Sequence, residues 1–150
     1  MDWLIGIFTN PFLTTSIGSW FIAQLLKVII NTIVNKKLDF ERLVGDGGMP
    51  SGHSATVSSL ATITALLCGP ASFQFAMAAV FAIVVCHDAT GVRHETGKQA
   101  QMLNEIIQIL DSEDLPEVKL KELVGHTPLQ VLMGILIGIG NACLVYFLVL

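Results

Sequence analysis

Apolar residues fall into four long stretches, and polar residues into two long segments that separate the first from the second and the third from the fourth. A helix crossing a bilayer needs ~20 mostly apolar residues. The first stretch runs from about Phe12 to Val34, interrupted only by Gln24, Lys27 and Asn31. After a polar segment from Asn35 to Gly52, the second runs from about His53 to Cys68 and is short and rich in Ser, Thr and Ala. Small residues let helix backbones approach closely, so a central place in a bundle is predicted for it. Gly69-Pro70 reads as a turn, and the third stretch follows from about Ala71 to His87. The fourth runs from Pro128 to Leu150, with Thr127 as N-cap and Pro128 at the first helical position. Gly134, Gly138 and Gly140 give it a small-residue face.

The second polar segment, Asp88 to Gly125, has a pattern of its own. Met102, Leu103, Ile106, Ile107 and Leu110 recur at helical spacing, which predicts an amphipathic helix over Lys98 to Leu110 near the membrane surface. It would serve as a lid, a lipid contact or plain cover for the bundle mouth. A shorter helix from about Pro116 to Val124 would end at Gly125.

Composition agrees with lipid as the main solvent. Hydrophobic residues make up 53%, charged residues 13%, and the mean hydropathy is +0.69, where soluble domains carry about 25% charged residues. The 150 residues suit one domain spanning positions 1–150. Cys68, Cys86 and Cys143 form no CxxC pair and read as small apolar fillers. No basic residue precedes the first long apolar run, which argues against a cleaved signal peptide. With four spans, both polar segments share one side of the membrane. Lys36, Lys37, Arg42, Arg93, Lys98, Lys119 and Lys121 lie there, and Lys27 lies within the first span. The positive-inside rule then predicts that side to be cytoplasmic.

Three groups of residues on that side carry chemistry. Gly47-Gly48-Met49-Pro50-Ser51-Gly52-His53-Ser54 enters the second span. A glycine-rich loop leading into a helix N-terminus presents N–H groups suited to phosphate, with His53 placed to exchange a proton. The same residues would also make an ordinary loop with a capping serine. His126 stands at the start of the fourth span, and Gln130, one turn on, can orient its ring. Asp88 at a membrane boundary needs a partner or solvent, and Arg93 offers a fork for phosphate oxygens or for Asp88 itself. Gln24 and Lys27 lie three apart inside the first span, where Lys27 either snorkels or faces inward as a phosphate ligand.

These residues together resemble the type 2 phosphatidic acid phosphatase superfamily, which includes the vanadium-dependent haloperoxidases. Pro50-Ser51-Gly52-His53 matches its second motif in full, and His126-Thr127-Pro128-Leu129-Gln130-Val131-Leu132-Met133-Gly134 looks like the end of its third. Arg93 lacks the preceding Ser and is separated from His126 by 32 residues, and Gln130 occupies the place of an Asp. In the first motif Lys27, Lys36 and Lys37 precede Arg42, which no Pro follows. Typical members have six spans. The pattern is similar to the divergent branch of small membrane proteins related to acid phosphatase and haloperoxidase.

The resemblance implies an all-α, integral-membrane helical bundle of about four transmembrane helices plus the amphipathic surface helix. It implies a phosphatase acting on a lipid phosphate or diphosphate, with His126 as nucleophile and His53 as acid and base. Arg93, a first-motif cation (Lys27, Lys36 or Lys37, with Arg42), Ser51 and Gly52 would hold the phosphoryl oxygens, with Asp88 among the phosphate-site residues. Neither a metal nor another cofactor is expected. The expected partners are a phosphorylated membrane lipid and the bilayer, not nucleic acid, and the small-residue faces would also suit a homodimer. Because Gln130 supplies no negative charge, a lipid-binding or transport protein of the same fold is the alternative.

Overall fold

The computed structural model describes residues 2–36, 48–110 and 126–149, with the side chains at 2, 35, 92–94 and 108–110 outside that description. Every element among the described residues is a helix: α1 (Asp2–Phe8), α2 (Pro11–Asn35), α3 (Gly52–Cys68), α4 (Phe73–Thr90), α5 (Val92–Leu110) and α6 (Pro128–Leu148).

Local chemistry sets the ends. Asn10 caps α2 by accepting from the N–H groups of Phe12 (3.0 Å) and Leu13 (3.3 Å), and Pro11 follows it at the first helical position. Ser51 caps α3, Ser72 caps α4 and Thr127 caps α6. Each cap satisfies a backbone donor that the first helical turn would otherwise leave unpaired, which matters most where water is scarce.

α3 is the centre of the bundle and packs against α2, α4 and α6, as its small-residue composition predicts. α2 runs antiparallel to it, since Gly52 at the start of α3 lies against Trp20 and Gln24. α6 runs parallel to it: Gly134 lies on Ser51 and Ser54, and Gly138 on Ala55 and Ser58. A Cβ on Gly138 would run into the Ser58 hydroxyl and the Ala55 carbonyl, so this crossing depends on the two glycines. Ser58 Oγ also reaches across to the Ile135 carbonyl at 3.3 Å. Between α2 and α6, Asn141 donates to Ser19 Oγ (2.8 Å) and to the Thr15 carbonyl (3.2 Å).

The distribution of side chains is inverted relative to a water-soluble protein. Thr15, Ser16, Ser19, Ser54, Ser58, Ser59 and Thr64 are buried, whereas Phe21, Ile33, Val80, Ile83 and Phe147 each expose more than half their surface. Exposed apolar area on this scale needs an apolar surrounding. α2, α4 running on into α5, and α6 are long and apolar enough to cross a membrane. This is an integral membrane protein. α3, at 17 residues, is the shortest of the four expected spans, and its Ser and Thr hydroxyls lower its hydropathy because they face protein and not lipid. Among the described residues, three helices therefore meet the length and apolarity of a span where about four are expected.

The expected element boundaries shift in places. α4 continues to Thr90, beyond His87. The amphipathic helix begins at Val92 and not at Lys98, because only Gly91 separates it from α4. α5 packs on α4, and Met102, Leu103 and Ile106 of its apolar stripe are exposed. α1 is not foreseen by the hydropathy pattern. The short helix expected over Pro116 to Val124 lies outside the described residues.

Candidate functional site

One end of the bundle gathers the starts of α3 and α6, the end of α4 and the stretch of α2 from Trp20 to Lys27. Two backbone hydrogen bonds clamp these pieces together. The Ser51 N–H donates to the Gln130 carbonyl at 3.0 Å, and the His126 N–H donates to the Ala89 carbonyl at 3.2 Å. Residues 79 and 37 positions apart in sequence are thereby held in contact, and both histidine-bearing segments are fixed on the same end.

The His53 and His126 rings lie 6.4 Å apart between centroids, inclined by 59°. His126 is 5% exposed, and His53 is open to the surface. Gln130 Oε1 lies 3.3 Å from His126 Nδ1 and accepts the Thr127 N–H at 3.0 Å. The Gln130 N–H in turn donates to Thr127 Oγ1 at 3.4 Å, completing a capping box. Because the Thr127 N–H identifies the oxygen of the amide, and that oxygen only accepts, the ring contact calls for the proton on Nδ1. Nε2 then keeps its lone pair. Gln130 thus caps the helix and sets the tautomer of the histidine one turn above it.

The Pro50–His53 turn sits on α2. Gly48 has φ +87°, a conformation strained for any residue with a side chain, and a Cβ there would meet Lys27 Cγ at 3.4 Å. A side chain at Gly52 would begin 3.3 Å from Trp20 Cδ1 and 3.8 Å from Gln24 Cδ. Lys27, at 4% exposure, is therefore inside the bundle under the glycine turn, not snorkelling to the surface. Ser51 is fully buried: its Oγ accepts from the Ser54 N–H at 3.3 Å and lies 3.0 Å from Ser54 Oγ. Its own N–H is taken by Gln130, which leaves the N–H groups of Gly52 and His53 as the donors of the α3 N-terminus without a partner among the described residues.

The expected site residues divide accordingly. His53, His126, Gln130, Ser51, Gly52 and Lys27 come together. Asp88 is half-buried and adjoins Ala89, whose carbonyl receives the His126 N–H. Lys36 is exposed at the C-cap of α2, nine residues beyond Lys27, or about 13 Å along the helix at 1.5 Å per residue. Arg93 lies in the first turn of α5, with its side chain outside the described residues, as are Lys37 and Arg42 entirely. Trp20 and Gln24, which flank the Gly52 turn, are missing from the residues assigned to the site by motif. The spacing of Gln24 to Lys27 on one helix face is the signal that could have included Gln24.

Comparison with known proteins agrees with this architecture. The chain is 41% identical over 145 residues to the uncharacterized membrane protein YuiD of Bacillus subtilis (strain 168), covering 89% of this chain and 92% of that one. No solved structure matches it. A profile of the Divergent PAP2 family matches residues 8–141, nearly the whole bundle and both histidine segments, and the chain belongs to that family.

Proposed function

We propose that the protein is a membrane-embedded phosphatase that hydrolyses a lipid phosphate or diphosphate through a phosphohistidine. The observation that carries this reading is the His53–His126 pair, 6.4 Å apart, with His126 Nδ1 facing a fixed acceptor.

In the first step Nε2 of His126 attacks phosphorus. The N–P bond forms as the bond to the leaving oxygen breaks, and protonated His53 donates its proton to that oxygen. In the second step His53 takes a proton from water, the water oxygen attacks phosphorus, and the N–P bond breaks to release phosphate. Lys27, the N–H groups of Gly52 and His53, and Arg93 stabilise the charge on the phosphoryl oxygens. The long-loop side, with its lysines and arginines, is the cytoplasmic face, so the substrate headgroup is met from the cytoplasm.

A second reading is a protein that binds or carries a phosphorylated lipid without hydrolysing it. It is favoured by Gln130, which orients His126 but offers no charge to an imidazolium.

The test is phosphate release from phosphatidic acid, phosphatidylglycerophosphate and polyprenyl diphosphate by the purified protein in detergent. Release that disappears in His126→Ala is expected. Release no greater from the folded wild type than from the variant on every lipid would sink the phosphatase reading and favour binding or transport.

A further inference from the structure

Gln24 has a position that neither the histidine chemistry nor the packing explains. Its side chain is 7% exposed, and Oε1 is buried with no hydrogen-bond partner among the described residues. An unpaired buried acceptor is destabilising, and native structures keep few of them without a reason. Its Cδ lies 3.8 Å from where a Gly52 side chain would begin, so the amide adjoins the first turn of α3. There the N–H groups of Gly52 and His53 have no partner among the described residues. Lys27 follows one turn along α2 and is buried on the same face. Donors and a cation that suit anionic oxygens therefore share this end of the bundle with one buried acceptor, which a phosphate can meet only through a hydroxyl.

Phosphate groups differ in whether they can satisfy both. A terminal phosphate titrates for the second time at a pKa of about 6, so it can bring a P–O–H together with anionic oxygens. A phosphodiester has no such hydroxyl, and sulfate near neutral pH has none either. A site with a fixed acceptor rejects a ligand that leaves that acceptor unpaired.

We propose that Gln24 Oε1 accepts the hydroxyl proton of a terminal phosphate, so that the site admits phosphomonoesters and terminal diphosphates and excludes phosphodiesters. The proposal rests on the phosphate-site reading above and narrows its substrate class. It supplies a discrimination such an enzyme needs, because phosphodiester headgroups are the bulk of the surface it works in.

Inorganic phosphate and sulfate are the direct probes, titrated calorimetrically against the detergent-purified full chain. The wild type is expected to prefer phosphate by about tenfold or more, the scale set by one buried unpaired acceptor. In Gln24→Met the ratio should fall near one, as phosphate loses its hydroxyl contact and sulfate no longer faces an unpaired oxygen. Gln24→Asn withdraws the same acceptor by one methylene and should behave alike, which covers the case of one variant failing to fold. A wild type that binds both anions equally, or a ratio that survives in either folded variant, overturns the proposal. A wild type that binds neither anion overturns the phosphate-site reading itself.

Dihexanoyl phosphatidic acid should displace phosphate and dihexanoyl phosphatidylglycerol should not; equal displacement by the diester also counts against Gln24. Comparison with glycerol phosphate separates the sources. Tighter binding of the lipid marks a headgroup ligand, and equal binding marks a free phosphate compound.

Discussion

At the scale of single residues, the centre of interest is the neutral group beside His126. Gln130 Oε1 holds Nδ1 and the Thr127 N–H at once, so one atom serves both the His126 ring and the helix cap. Glutamate is equally suited to the third position of a capping box, and its carboxylate would stabilise an imidazolium where the amide cannot. Gln130→Glu is therefore expected to keep the fold and raise kcat for phosphate release several-fold; an unchanged or lower kcat in a folded variant would show that the neutral acceptor is not limiting. Gln130→Leu removes the acceptor and frees the ring to adopt the wrong tautomer. A fall in kcat of roughly 100-fold is expected, within the range for a disrupted acid–base group, with KM for the lipid changed much less. The motif spacing makes Gln130 legible as the partner of His126. It could not reveal that Gln130 also supplies the carbonyl that receives Ser51 N–H, because that contact joins residues far apart in sequence.

Among elements, the decisive contact is α3 against α6. Gly134 and Gly138 meet backbone atoms of α3, which cannot move aside as a flexible side chain would, whereas Gly140 on the same helix has nothing within 4 Å of a Cβ. Gly138→Val is expected to destabilise the protein by at least about 1–3 kcal/mol through overpacking and to separate the two histidine-bearing helix starts. Gly140→Val should be nearly neutral. Thermal aggregation of both variants in detergent checks the contrast, and equal behaviour would contradict the close approach. The sequence presents all three glycines as one face. Only the crossing of the helices separates the two that pack from the one that does not.

For the whole molecule, the arrangement of spans makes a statement about sidedness. The site end carries Lys27 and Lys36, and the Gly69-Pro70 turn lies at the other end of α3 and α4. Cys68 is exposed at that turn. If the site faces the cytoplasm, a membrane-impermeant thiol reagent should label Cys68 in intact cells when Cys86 and Cys143 are replaced by alanine. A cysteine placed at Lys36 should react only after permeabilisation. The reverse pattern would put the site on the outer face and overturn the orientation drawn from the positive charges.

What the sequence determined by itself is whatever depends on local order along the chain. Apolar runs long enough to span lipid set α2, α4 and α6, capping residues at Thr127 and Ser51 set where helices begin, and the Pro50–His53 and His126–Gly134 segments carried the family resemblance. Composition alone also placed α3 at the centre, since a helix of Ser, Thr and Ala can pack closely but is poorly suited to face lipid on all sides. Tertiary structure decided what depends on which helix faces pass one another. It put Lys27 under the glycine turn and not at the surface, left Lys36 outside, spent the Ser51 N–H on Gln130, and set Gln24 beside the start of α3. The physical reason is that a motif fixes side chains only over a turn or two. The partner of a buried polar group is chosen by helices whose contacts are dozens of residues apart.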